Sequence, residues 1–127
     1  MSAAPQIERF PGFVRGKAWR DMYNLADVFV MSSVSEPFGL TPFESGAFGV
    51  PALVSKQSGV AEVMRTALKV DYWDVENMAN QIASLLQNQD LHDQLAGDSF
   101  SEVEKLSWND NARKFMSLYV AHAGVLA

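Results

Sequence analysis

The feature that most constrains this chain is a repeated alternation in its first half. Three short apolar runs, Val28-Phe29-Val30-Met31, Ala52-Leu53-Val54 and Ala67 to Val70, are separated by stretches patterned as helices. Uninterrupted apolar runs of this length mark strands buried on both faces, as in parallel sheets. Strand and helix alternating at this pace predict parallel β-α-β units, hence an α/β sheet with crossover helices. Trp19, Met22, Tyr23 and Ala26 fall at helical spacing, which predicts an amphipathic helix over about 16–26. Thr41-Pro42 opens a second helix with Pro at its first position, and Gly49 stops it after Phe48. Gly59 to about Arg65 reads as a third, short helix. Phe10 to Val14, interrupted by Pro11-Gly12, reads as a strand only at a sheet edge or running into a loop.

Residues 74–122 have a different pattern, almost wholly helical. Asp74 is placed to cap a helix carrying Val75, Met78, Ala79, Ile82, Leu85 and Leu86 on one stripe. A looser stretch from Leu91 to Leu106 is weakened by Gly97. Ser107 caps the last helix, where Ala112, Phe115, Met116, Tyr119 and Val120 form an apolar face expected to join the core. The whole reads as one domain: β-α-β units over about 7–71, then covering helices over 74–122.

Composition narrows the partners. With 127 residues, 48% of them apolar and 20% charged, the chain can bury a real core. A net charge of −5 speaks against a phosphate-tracking surface for nucleic acid, which needs clustered Lys and Arg. There is no cysteine, so no disulfide and no thiolate metal site, and the cytoplasm is the expected compartment. No metal ion and no cofactor is expected. Apolar runs stay far below the roughly 18 residues of a membrane span.

The chemistry concentrates in Ser35-Glu36-Pro37-Phe38-Gly39-Leu40-Thr41-Pro42-Phe43-Glu44, after a buried strand and at a helix start. Open α/β sheets bind ligands at this carboxyl end of their strands. Gly39 lets a ligand approach the backbone, and the amides of Gly39, Leu40 and Thr41 offer N–H donors where the helix dipole favours an anion such as a diphosphate. Glu36 and Glu44 are acceptors suited to sugar hydroxyls on either side of that diphosphate. Each also has a plainer reading. Thr41-Pro42-Phe43-Glu44 fits a capping box, and Glu36 fits a solvated loop.

Glu36 and Glu44, with seven residues between them, resemble the E-x7-E motif of the retaining GT-B glycosyltransferases of group 1, or family 4. Phe10-Pro11-Gly12-Phe13-Val14, Leu25 to Ser33, Gly49 to Ser55 with Ser58 to Val63, and Leu106-Ser107-Trp108 are similar to further family segments, in the family's order from about residue 7 to residue 120. The resemblance implies the later half of the Rossmann-like donor domain: a partial parallel sheet with covering helices and a helical C-terminal half. It implies that Glu44 holds the ribose of a nucleoside diphosphate sugar and that Glu36 contacts the sugar. The amides of Phe38, Gly39 and Leu40, with Thr41 beside them, then meet the diphosphate or sugar, and Phe13, Val14 and Arg15 lie near the base. Glu62 has a weaker claim, and His92 and His122 match no motif.

The departures from the family carry expectations of their own. Glu44-Ser45-Gly46 replaces the family's E-A-M, and Gln57-Ser58-Gly59 its paired glycine. The family's basic pair for the departing diphosphate has no match, Arg15 and Lys17 being poor substitutes, so little transfer activity is expected of this chain alone. The strand that the family places between Phe10–Val14 and Val28–Met31 is also missing. That gap bares a sheet edge and predicts a homodimer through it, or a rearranged sheet. Two rival readings are a non-catalytic binding or oligomerisation module and a nucleotide-sugar epimerase of related fold.

Overall fold

The computed structural model describes residues 6–124. Three strands, β1 (Phe29–Met31), β2 (Ala52–Ser55) and β3 (Leu68–Val70), form one parallel sheet in the order β1-β2-β3. Phe29, Val30 and Met31 pair with Ala52, Leu53 and Val54, while Leu53, Val54 and Ser55 pair with Leu68, Lys69 and Val70. The central strand is buried along its whole length, as its unbroken apolar run requires. Helix α2 (Thr41–Ala47) makes the first crossover and α3 (Val60–Val63) the second. This is the predicted partial Rossmann-like α/β fold, mostly helical outside the sheet.

One face of the sheet carries the main core: Ala52, Val54, Phe43, Val60, Ala61, Met64 and Ala67, with Phe29, Met31 and Val103 packed at its border. Helix α5 (Gln89–Glu104) supplies Val103 and packs across α2. That crossing explains Gly46. A Cβ there would stand 2.8 Å from Val103 Cγ2 and 3.3 Å from the Ser99 carbonyl, so the residue that weakens α2 by propensity is the one that admits α5. The Glu102 carboxylate then ties α5 to the turn before β3. It accepts the backbone N–H groups of Arg65 at 2.7 Å and Thr66 at 2.9 Å, together with the Thr66 hydroxyl. Helix α4 (Val75–Gln87) lies against β3, capped by Asp74 through a 3.1 Å bond from the Asn77 amide.

Two expectations are corrected. Phe10 to Val14 forms no strand. A strand needs a neighbour to take its N–H and C=O groups, and among the described residues β1 pairs only with β2. The stretch read as helical from Leu91 to Leu106 is helix α5, which runs unbroken through Gly97 and is capped at its start by Asn88 through the Leu91 amide at 3.0 Å. The last helix, α6 (Trp108–Ala123), is capped by Ser107 as expected, but its apolar face does not join the core. Phe115, Met116, Tyr119 and Val120 are 60–72% exposed, and α6 buries no residue. A helical stripe specifies a face that needs covering, and does not specify what covers it.

Candidate functional site

The loop from β1 to α2 is fixed from both sides. Ser55, at the end of β2, donates its hydroxyl to the Ser33 carbonyl at 2.6 Å. Further along, Glu36 bridges Ser58 in parallel, Gly59 N–H donates to the Glu36 carbonyl at 3.0 Å, and Val60 N–H donates to the Phe38 carbonyl at 2.6 Å. Such an approach of two backbones is open only to glycine, since a Cβ on Gly59 would fall 2.1 Å from the Pro37 carbonyl oxygen. Gly39 takes φ +91, in the left-handed region where a side chain is strained, with Met31 Cε 2.9 Å from the place of its missing Cβ. The amides of Phe38, Gly39 and Leu40 donate to no protein acceptor among the described residues.

The two glutamates are held differently. Glu36 lies in the loop, half-buried, and its carboxylate accepts no hydrogen bond from the described residues. Glu44 is in the first turn of α2, and the capping-box reading does not hold for it. The residue before α2 is Leu40, with no side-chain cap, while the Thr41 hydroxyl turns to Met31 Sδ at 3.7 Å. The Glu44 carboxylate instead accepts a hydrogen bond at Oε2 from the Tyr23 phenol, at 3.1 Å. Tyr23 belongs to α1 (Gly16–Leu25), where it is the buried residue. Its ring stacks on Phe48 (centroids 5.2 Å apart, planes at 8°) and meets Trp19 edge-on at 5.3 Å. Burial first, then the bond to Glu44 and its negative charge, push the Tyr23 phenol well above the usual tyrosine range. It remains a protonated donor.

Glu44 opens onto a cavity of about 410 Å³ that is also lined by Phe13, Val14, Trp19, Tyr23, Phe29 and Thr41. The structure therefore gathers Phe13 and Val14, expected near a base, around the same space as Glu44 and Thr41. Arg15 stands beside it with its guanidinium 5.4 Å from the Phe13 ring centroid. Phe38 and Leu40 line a second, mainly apolar groove of about 470 Å³ with Phe43, Val63, Leu106 and Trp108. Glu36 and Gly39 line neither space and lie in the loop between Met31 and α2. Tyr23 was missed by sequence reasoning as a site residue. Its helical spacing assigned it to a core stripe, and its partner lies 21 residues away. Of the two histidines, His92 holds the Asp27 carbonyl at 2.7 Å through Nε2, and His122 bonds back to Leu118 in its own helix.

The partial Rossmann-like sheet, with its acidic, glycine-bearing loop at the carboxyl end, has GT-B glycosyltransferase domains as its solved structural neighbours. The chain belongs to the glycosyl transferases group 1, whose family model matches residues 8–99. It is similar to an uncharacterised glycosyltransferase of Methanocaldococcus jannaschii, with 30% identity over 115 residues, covering 87% of this chain and 29% of the relative. Similarity to the mannosylfructose-phosphate synthase of Agrobacterium fabrum is 30% over 113 residues, or 86% of this chain and 25% of that enzyme. Among solved structures, a sucrose-phosphate synthase from Thermosynechococcus elongatus superposes with a TM-score of 0.70 at 29% identity, over 82% of this chain and 27% of that one. The chain thus spans less than a third of the length of these relatives. No helix among the described residues is long and apolar enough to cross a membrane.

Proposed function

We propose that these residues form the nucleoside-diphosphate half of the donor site of a glycosyltransferase that transfers sugar with retained configuration. The observation that carries the proposal is the anchored Glu44 carboxylate beside a cavity shared with Phe13 and Val14. A ribose presents two adjacent hydroxyl donors, and a carboxylate presents two acceptor oxygens. The base lies toward Phe13, Val14 and Arg15, while the free amides of Phe38, Gly39 and Leu40, beside Thr41, take the diphosphate or the sugar. Glu36, with its carboxylate unengaged by protein, contacts the sugar. The family's basic pair for the departing diphosphate has no match in this sequence, so little transfer activity is expected of the 127 residues by themselves.

Calorimetric titration with UDP, GDP and ADP tests this reading. Binding of one of them, weakened about tenfold or more by Glu44→Ala, is the expected result. Binding that ignores the substitution, or none in the folded protein, contradicts it.

A second reading is favoured by two surfaces that the described residues leave uncovered, the outer edge of β1 and the apolar face of α6. It makes the chain a non-catalytic assembly module that forms a homodimer through the strand edge. Sedimentation velocity over a concentration series separates the two. A monomer at every concentration removes the homodimer.

A further inference from the structure

Tyr23 has no role in the site as read so far, although it makes the one side-chain hydrogen bond that the described residues give Glu44. We propose that Tyr23 is a positioning residue, whose phenol fixes the Glu44 carboxylate so that its remaining acceptor sites meet a ribose diol at the 410 Å³ cavity. The proposal rests on the reading of Glu44 as the ribose ligand.

A glutamate side chain turns about three bonds, and an unheld carboxylate would have to be ordered by the ligand itself. Here the ordering is done in advance. The phenol donates to Oε2 at 3.1 Å, with the Thr41 carbonyl as a longer second acceptor at 3.4 Å. The ring cannot drift, since it is stacked on Phe48, edge-on to Trp19 and 6.1 Å from Phe29 by centroids. One oxygen of Glu44 is thereby pinned through a single lone pair. Its other lone pair and both of those on Oε1 stay available to the two hydroxyls, a geometry suited to adjacent diol donors. The phenol also stays protonated, so it acts as a donor and adds no second negative charge beside Glu44. Both residues line the same cavity, which places the bond at the wall a ligand would touch.

The chemistry also explains why the aromatic alone would not serve. Phenylalanine would keep every ring contact and lose only the donor. Tyr23→Phe therefore isolates the hydrogen bond from the packing, and its thermal unfolding midpoint is expected to stay close to that of the native chain.

The test is a titration series on native protein, Tyr23→Phe, Glu44→Ala and the double variant. The probes are UDP, GDP and ADP, with the 2′-deoxy and 3′-deoxy forms of whichever binds most tightly. The native chain is expected to prefer the ribonucleotide, and Tyr23→Phe to weaken ribonucleotide binding about fivefold while leaving the deoxy forms nearly unchanged. In the Glu44→Ala background, Tyr23→Phe should do nothing further. Equal weakening of ribo and deoxy forms, or a ribose preference that survives Tyr23→Phe but not Glu44→Ala, overturns the positioning role and leaves the reading of Glu44 intact. No ribose preference in the native chain, or no binding of any probe, overturns both.

Discussion

The loop–α2–α5 region and helix α6 both carry apolar residues and end in opposite states. Around α2, small residues let backbones close on one another: Gly59 against Pro37, Gly46 against Val103 and Ser99, with Leu53 and Val54 fully buried in the strand between. Along α6, Phe115, Met116, Tyr119 and Val120 make an apolar stripe, and all are exposed. The difference teaches that apolar content does not make a core. The first region is closed by tolerances of a few tenths of an ångström that only its own residues can supply. The second offers a face with no complementary surface among the described residues.

Substitutions should divide along that line. Gly59→Ala is expected to be the most damaging, because a methyl 2.1 Å from the Pro37 carbonyl oxygen must push the Glu36 loop away from α3. A loss of about 3 kcal/mol or more in chemical denaturation is predicted. Gly46→Ala should cost about 1–2 kcal/mol in the same assay. The helix gains propensity, yet the new methyl meets the stiff, β-branched Val103 at 2.8 Å. A Gly46→Ala variant more stable than the native chain would show that α2 and α5 can separate freely.

Burial raises the Glu102 carboxyl, but the bonds from the Thr66 hydroxyl and from the Arg65 and Thr66 amides, with the Arg65 charge, outweigh it and hold it below the usual glutamate range. A carboxyl depressed in the folded state contributes its full stabilisation above the ordinary glutamate pKa. It loses that contribution as pH falls through the depressed folded value. The cost of Glu102→Gln should be about 1 kcal/mol at neutral pH, since the group is only partly buried, and should shrink to nothing at strongly acid pH. Midpoints measured across the acid range check this. At the small end, Phe115→Ala with Tyr119→Ala should change the stability of the isolated chain by about 0.5 kcal/mol or less. A larger loss would mean that α6 is covered in solution, most simply by another copy.

The same contrast explains what could be read from the sequence. The strands Phe29–Met31, Ala52–Ser55 and Leu68–Val70 and the caps at Asp74 and Ser107 were legible, because each is written in a few adjacent residues. So was the position of the Glu36–Glu44 segment between strand and helix. Phe10–Val14 was misread because a strand is defined by its neighbour, which the local pattern does not contain. The α6 face was misread for the same reason. Tyr23 was assigned correctly to a helical stripe, but its bond to Glu44 depends on how α1 docks against Phe48, a relation with no signature in either segment.

On the proposed reading, the ligand-binding chemistry lies around Glu44 and not along the exposed apolar surface. Amide resonances of the labelled native chain, followed while UDP, GDP or ADP is added, test this most directly. Shifts are expected at Phe13, Val14, Tyr23, Gly39, Leu40 and Glu44, with Trp108 to Val120 unmoved. Shifts confined to Leu106, Trp108 and the α6 face, with Glu44 silent, would contradict it.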